Sequence, residues 1–415
     1  MRVQRWPVTV GVVLLGAVAL LAVAIVGGTA LAPSSPNAAG PAWYSFAGGL
    51  SAYDAVAGFD LWLLAYGSTW TYAHGEWSNI TSTAGVPTNM ENNVRMAYDA
   101  RDGYVLLYGG SYTHAAPYGG TYELPLSETW AFEGGRWTNL TSAVHGAPPP
   151  MVLGLMSYDS EDNAVVLFGG NQINTSSSVG GPATNETWTY AADVWTNATV
   201  PGPPPLAGTF TGQPFFWLID DSADGYLVYY NALMHSPLTP GSITWSFRGG
   251  IWTNRTASFG PAPELISFGG IAYDSTSRTI IAEGSCVSTT GFTCADRNGG
   301  TYQFSNGRWT ALSPPTSPPL REDSGFVDDP PDGGVVMAGG CCWTDLTDLT
   351  VGWQDVWVYS HGTWTESDPW GGVAPSWVQN DGTWVAFALA LVAGVSVLCL
   401  LRKQPPSNPE AKSSP

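Results

Sequence analysis

The plainest chemical signature in this 415-residue chain is carried by asparagine. Asn79, Asn139, Asn174, Asn185, Asn197 and Asn254 each open an Asn-x-Ser/Thr triplet, the acceptor signal for N-glycosylation on surface segments of exported proteins. Cys286, Cys294, Cys341 and Cys342 are disulfide candidates, and four cysteines allow three pairings. Other chemistry is not written here. The histidines, at 74, 114, 145, 235 and 361, fall in no metal-ligand spacing. The aspartates at 99 and 102, 221 and 224, and 329 and 332 lack the alternating run that would give calcium its roughly six or more oxygens. They read as turn formers. No Gly-x-Ser-x-Gly elbow and no phosphate loop occurs. The sequence therefore assigns no catalytic residue, no metal and no cofactor.

Where such residues would act follows from the ends of the chain. MRVQR places positive charge ahead of the uncharged run 8–28, long enough to cross a bilayer. Residues 1–32 are thus a signal peptide cut after Ala32 or a retained signal-anchor helix, and the length of the run favours retention. Residues 384–401 form a second apolar run, followed at once by Arg402-Lys403. That is a stop-transfer pattern with its positive side in the cytoplasm. The expected layout is a linker over 33–40, an extracellular domain over 41–366, a linker over 367–382, a transmembrane helix over 383–401 and a cytoplasmic tail over 402–415. Residues 33–383 hold nine arginines, no lysine and 32 acidic residues. Such a surface has no basic patch to displace phosphate counterions, which excludes nucleic acid as a partner. The expected partners are the bilayer and an extracellular glycan or protein.

The domain between the membrane segments is repetitive. Trp77, Trp137, Trp195, Trp252, Trp309 and Trp364 recur at spacings of 60, 58, 57, 57 and 55 residues. Seven residues before each stands Trp70, Trp130, Trp188, Trp245, Tyr302 or Trp357. Between them lie His74-Gly75, Gly134-Gly135, Ala192-Asp193, Gly249-Gly250, Asn306-Gly307 and His361-Gly362, the place for a two-residue turn with both residues at positive φ. An upstream hairpin is marked by Asp54, Asp99, Asp159, Asp221, Asp274 and Asp329, with Gly58, Gly103, Asn163, Gly225, Arg278 or Gly333 four positions on. A short apolar run of strand length follows each. Each unit reads as four antiparallel strands. A single unit of this size buries too little apolar surface to stand alone. The expected fold is all-β: a six-bladed propeller of four-stranded blades, flanked by the two transmembrane helices.

The order Tyr-Asp-x-x-Asp-Gly, apolar run, Gly-Gly, then Thr-Trp-x-Tyr/Phe-x-x-Gly-x-Trp resembles Kelch repeats and the central propeller of the galactose oxidase group. The double glycine is whole only at 109–110, 169–170 and 339–340. No Tyr-Tyr-His-His set matches the copper site of that group, so the resemblance implies the fold without its chemistry.

Blade geometry then sorts the loops. With strand one innermost, the strand 1–2 and 3–4 turns share one end, and the strand 2–3 loops and blade links share the other. The second set, 111–127, 171–185, 231–242, 285–300 and 341–354, is long and varied. Tyr112, His114, Tyr118, Asp345, Asp348 and Trp353 are its candidate binding residues. Cys286 and Cys341 occupy equivalent places on adjacent blades. Cys286–Cys294 and a vicinal Cys341–Cys342 are the favoured pairs, with a cross-blade bond from Cys286 the alternative. The functional expectation is a tethered binding or adhesion module. The alternatives are a carbohydrate-active propeller enzyme on envelope polysaccharide and a structural envelope protein.

Overall fold

The aspartate ending each first strand is the first organiser of the fold. All six are buried, at 0–2% exposure. Asp54 Oδ1 accepts the N–H groups of Val56 and Ala57, and Asp99, Asp159 and Asp274 do the same two and three residues on. Asp221 and Asp329 each accept from the third residue. The residue four positions on has positive φ in every blade, even where it is Asn163 or Arg278. The aspartates are thus consumed by their own turns, as the spacing indicated. The second hairpin behaves equally uniformly. Both central residues have positive φ in all six copies, including the non-glycine pair Ala192-Asp193.

The computed structural model describes residues 51–367, except 65–67, 86, 88–91, 116–120, 153, 172–182, 203, 205–215, 232–242, 261–266, 287, 291–292, 297–299, 320, 322–323 and 341–354. Within it each blade is built from contiguous sequence in strand order 1-2-3-4. Blade 1 consists of Ser51–Asp54, Phe59–Leu63, Thr69–Ala73 and Glu76–Asn79. Blade 2 begins at Asn92–Asp99, blade 3 at Leu155–Asp159 and blade 4 at Phe216–Asp221. Blade 5 begins at Ser267–Asp274 and blade 6 at Gly325–Asp329. These first strands touch in sequence, and the sixth returns to the first, closing the ring. A one-turn helix, Thr81–Ala84, follows blade 1. Both expected transmembrane segments lie outside the described residues. Among the described residues no helix is long and apolar enough to cross a membrane.

The core is divided among the joints between blades. Leu61 and Leu63 of blade 1 pack with Val94, Val105, Leu107 and Trp137 of blade 2. Trp62, on the opposite face of the same strand, and Leu64, just beyond its end, pack with Val327 and Val336 of blade 6. Each other joint holds a corresponding cluster. Successive side chains point to opposite faces, so a second strand sandwiched between two neighbours must be apolar on both. That is why these strands read as unbroken runs such as Ala164–Phe168, buried at every residue.

The second repeated tryptophan makes two contacts that recur around the ring. The second tryptophan lies opposite the aromatic of strand three, from Tyr72–Trp77 to Tyr359–Trp364, with ring centroids 4.8–5.2 Å apart in all six blades. Its indole nitrogen also reaches across the joint. Trp137 donates to Thr69 Oγ1, Trp195 to Thr129, Trp252 to Thr187 and Trp364 to Thr301, at 2.8–3.1 Å. Each acceptor is the first residue of strand three in the preceding blade and is fully or nearly fully buried.

A buried donor that loses its partner costs about 1–3 kcal/mol, whereas removing both partners costs far less. Thr129→Val is therefore expected to destabilise the protein by about 1–3 kcal/mol, and its effect to shrink when made on a Trp195→Phe background. Chemical denaturation of the four-member cycle measures this, and additive effects would show that the bond contributes nothing.

Candidate functional site

The turns described above share one end of the ring, and each is closed by its own hydrogen bonds. The other end carries the strand 2–3 connections, two of which are more ordered than their composition indicated. In blade 2 the second strand runs on to Ala115 and pairs with an extra strand, Thr121–Pro125. This raises a hairpin in which Tyr112 faces Leu124 and His114 faces Tyr122 in register. In blade 5 Ser288–Thr290 pairs with Thr293–Asp296. Both stretches were expected as loops. Nothing in their residue order competes with the polar, glycine-containing composition that marks loops, so the strands come from pairing across the hairpin.

Of the candidate binding residues, Tyr112 and His114 belong to one strand of the blade 2 hairpin. Tyr118, Asp345, Asp348 and Trp353 lie outside the described residues, as do Cys341 and Cys342. The blade 5 register sets Cys294 opposite Thr289 and Cys286 opposite Ser267. Asn79, Asn139, Asn197 and Asn254 close the fourth strands of blades 1–4 and are exposed. Asn174 lies outside the described residues. Asn185 lies just ahead of strand three in blade 3.

Beneath this end lies a buried polar cluster that the sequence reading missed. Arg321, in the link into blade 6, is 1% exposed. Its guanidinium forks onto the Asp355 carboxylate and donates to the carbonyls of Gly339 and Pro319. Asp355 also accepts from the Trp357 indole at 2.7 Å. Glu128 and Glu186 receive the equivalent indole bonds from Trp130 and Trp188 at 2.8 and 2.9 Å. Glu283, 1% exposed, accepts from Thr301 Oγ1 at 2.8 Å, and burial lifts its carboxyl to about 7. Arg95 is buried in the blade 2–3 joint, donating to the carbonyls of Gly154 and Val94, and desolvation lowers its guanidinium to about 10. Chemically, the arginines fasten chain to chain. Glu283 holds a proton close to neutrality but is closed off from solvent. Among the described residues no three His, Cys, Asp or Glu side chains are placed to hold a metal ion.

A second cluster occupies the joint that closes the ring. Asp60 stands where the other blades place Val105, Val165, Leu227, Ile280 and Val335, and it is 0% exposed. At ordinary hydrogen-bond distance neither of its oxygens is met among the described residues, and the neighbouring Asp329 carboxyl is the group with which it can share a proton. Burial, then the charges of Asp329, Asp332 and Asp328, push its carboxyl well above the usual range. Tyr53 and Tyr72 also face these carboxylates, and His74 lies 3.7 Å from Asp332. A lone aspartate in the strand Phe59–Leu63 was a readable signal of this.

Comparison with known proteins adds fold-level information. No family model and no curated protein matches the chain. The solved structure of YjhT is 11% identical over 79% of this chain and 98% of its own, with a TM-score of 0.50. A polysaccharide lyase of family PL25, an ulvan lyase, is 12% identical over 79% of this chain and 86% of its own, at 0.41. The SapL1 lectin, solved with α-methyl fucoside, is 10% identical over 78% and 96%, at 0.42. Identities this low speak to fold alone.

The buried acids set a direction for stability against pH. Folding raises Asp220 and Glu283 to about 7, and Asp99, Asp221, Asp328 and Asp329 to about 6. A carboxyl with a raised folded pKa binds more protons folded than unfolded, so stability falls as pH rises from about 4 through 7. Melting temperature is expected to decline over that window. Asp60→Val, which installs the residue type of the other blades, is expected to raise it at pH 8 and shallow the decline. An unchanged slope in the variant would remove Asp60 from the effect.

Proposed function

We propose that this chain is a membrane-tethered, extracellular Kelch-like propeller that binds a glycan or protein ligand at the loop-bearing end of its ring. The carrying observation is the difference between the two ends. At one, every aspartate turn and every two-residue turn is closed by fixed backbone geometry. At the other, blades 2 and 5 raise strand-built hairpins from the same frame. Binding residues concentrate on loops that a rigid scaffold positions. The Kelch-like assignment rests on the ordered Gly-Gly and tryptophan positions. Tethering rests on the apolar runs 8–28 and 384–401 and on Arg402-Lys403.

One observation favours a rival. Glu283 holds a proton near neutral pH, the property of a general acid in carbohydrate-active enzymes. It lies at 1% exposure beside the blade 5 hairpin, so it reaches substrate only if that hairpin moves.

Full-length protein in detergent, screened against glycan and protein panels, tests both readings. Binding without turnover is expected, and replacing residues 113–123 of the blade 2 hairpin by a Gly-Gly turn is expected to weaken it at least tenfold with the melting temperature held. Turnover that Glu283→Gln abolishes would install the enzyme reading instead. Binding to neither panel would remove the ligand-binding reading. Proteolysis of intact cells tests placement separately: the blades should be cleaved from outside while the C-terminal tail is protected.

A further inference from the structure

We propose that Asn79, Asn139, Asn197 and Asn254 are glycan attachment sites, decorating the outer rim of blades 1–4. Each is the last residue of the fourth, outermost strand and is exposed. In each blade Oδ1 accepts the backbone N–H of the threonine two residues on, at 2.9–3.0 Å. That threonine's Oγ1 in turn accepts from a backbone N–H at the start of strand three, from Thr69, Thr129, Thr187 or Thr244, at 2.9–3.1 Å, and lies within donating reach of the same residue's carbonyl.

The turn accounts for the threonine and for an oxygen acceptor at the first position. It does not account for asparagine. Aspartate forms the same turn equally well, and all six first-strand turns of this chain use it. At the rim all four residues are amides. Blades 5 and 6 have Ala311 and Glu366 in that place, so a blade stands without the turn. What aspartate lacks is the amide nitrogen, the atom to which an N-linked sugar is joined. In the transfer that nitrogen attacks the anomeric carbon of an oligosaccharide carried on a lipid phosphate. The C–N bond forms, the C–O bond to phosphate breaks with its electron pair leaving on the phosphate, and the amide proton passes to the transferase. A glycan at the end of an outer strand also prevents edge-to-edge pairing with another sheet.

The inference rests on the extracellular placement proposed above and not on any ligand. The test is the intact mass of the full chain purified from the membranes of the cells that make it. The wild type is expected above its polypeptide mass. Asn79→Asp, Asn139→Asp, Asn197→Asp and Asn254→Asp should each remove one glycan mass while keeping the turn, with melting temperature nearly unchanged. Thr81→Val, which removes the sequon and also the hydroxyl that bonds Thr69, should lower both mass and melting temperature. A wild-type mass equal to the bare polypeptide, or an excess that survives intact in the quadruple aspartate variant, overturns the proposal. An unglycosylated chain that is still cleaved from outside intact cells would sink this inference alone.

Discussion

Four of the six joints are set in register by a contact between an indole nitrogen and a buried threonine hydroxyl in the preceding blade. A four-stranded blade has two apolar faces and cannot be covered alone, so each joint must be both dry and correctly registered. Apolar packing supplies dryness without direction. The Trp–Thr bond supplies direction, because Trp195 meets Thr129 Oγ1 only when fourth and third strands of neighbouring blades sit at one offset. The same threonine is fixed from behind. Its backbone N–H donates to Thr141 Oγ1 and its carbonyl accepts from Leu140 N–H. The end of one blade's fourth strand thereby holds the acceptor that the next blade's tryptophan must find.

The joint that closes the ring departs from this scheme in a consistent way. Val356 stands in the threonine position of blade 6 and offers no hydroxyl to blade 1. At this joint Trp62 lies against Trp77 with centroids 5.4 Å apart. The Trp62 ring also sits where a Cβ on Gly325 would be, at 2.0 Å, so no larger residue fits at that point of blade 6. Asp60 adds a buried carboxyl to the same joint. A buried polar group without a partner is costly, and a carboxyl reduces that cost by taking up a proton. The closing joint therefore carries a pH-sensitive carboxyl within its apolar face, while the other five hold four of the indole bonds.

The strands and turns were legible because each depends on residues close together in sequence. A seven-residue interval between aromatics with two turn residues inside it is a hairpin whatever surrounds it, and even His74-Gly75 and Ala192-Asp193 adopt the demanded φ. The fate of Asp99 or Asp274 was legible for the same reason: its partners lie within three residues. The joints were not legible. Thr129 and Trp195 are 66 residues apart, and a threonine before a tryptophan carries no mark that it accepts from another blade. Arg95 and Arg321 are two of the nine arginines counted with the acidic surface, because isolated arginines are usually exposed. Their burial follows from carbonyls at Gly154 and Gly339 that only the closed ring brings within reach.

These constraints fall on one end and on the joints, and this bears on where function can lie. Aspartate turns, left-handed pairs and tryptophan bonds occupy the tight turns, the strand faces and the outer rim. A substitution at those places meets a partner in its own blade or the next. The described strand 2–3 connections of blades 2 and 5 instead pair within themselves, Tyr112 with Leu124 and Thr289 with Cys294. Gly109 and Gly110, both at positive φ, turn the chain there, and a Cβ on Gly109 would come within 3.0 Å of the Met151 carbonyl. In blade 2 the two glycines thus fix where the connection leaves the blade without fixing what it becomes. Blade 2 spends that freedom on a long hairpin and blade 5 on a short one. In both blades the hairpin is added with the order of the four blade strands kept.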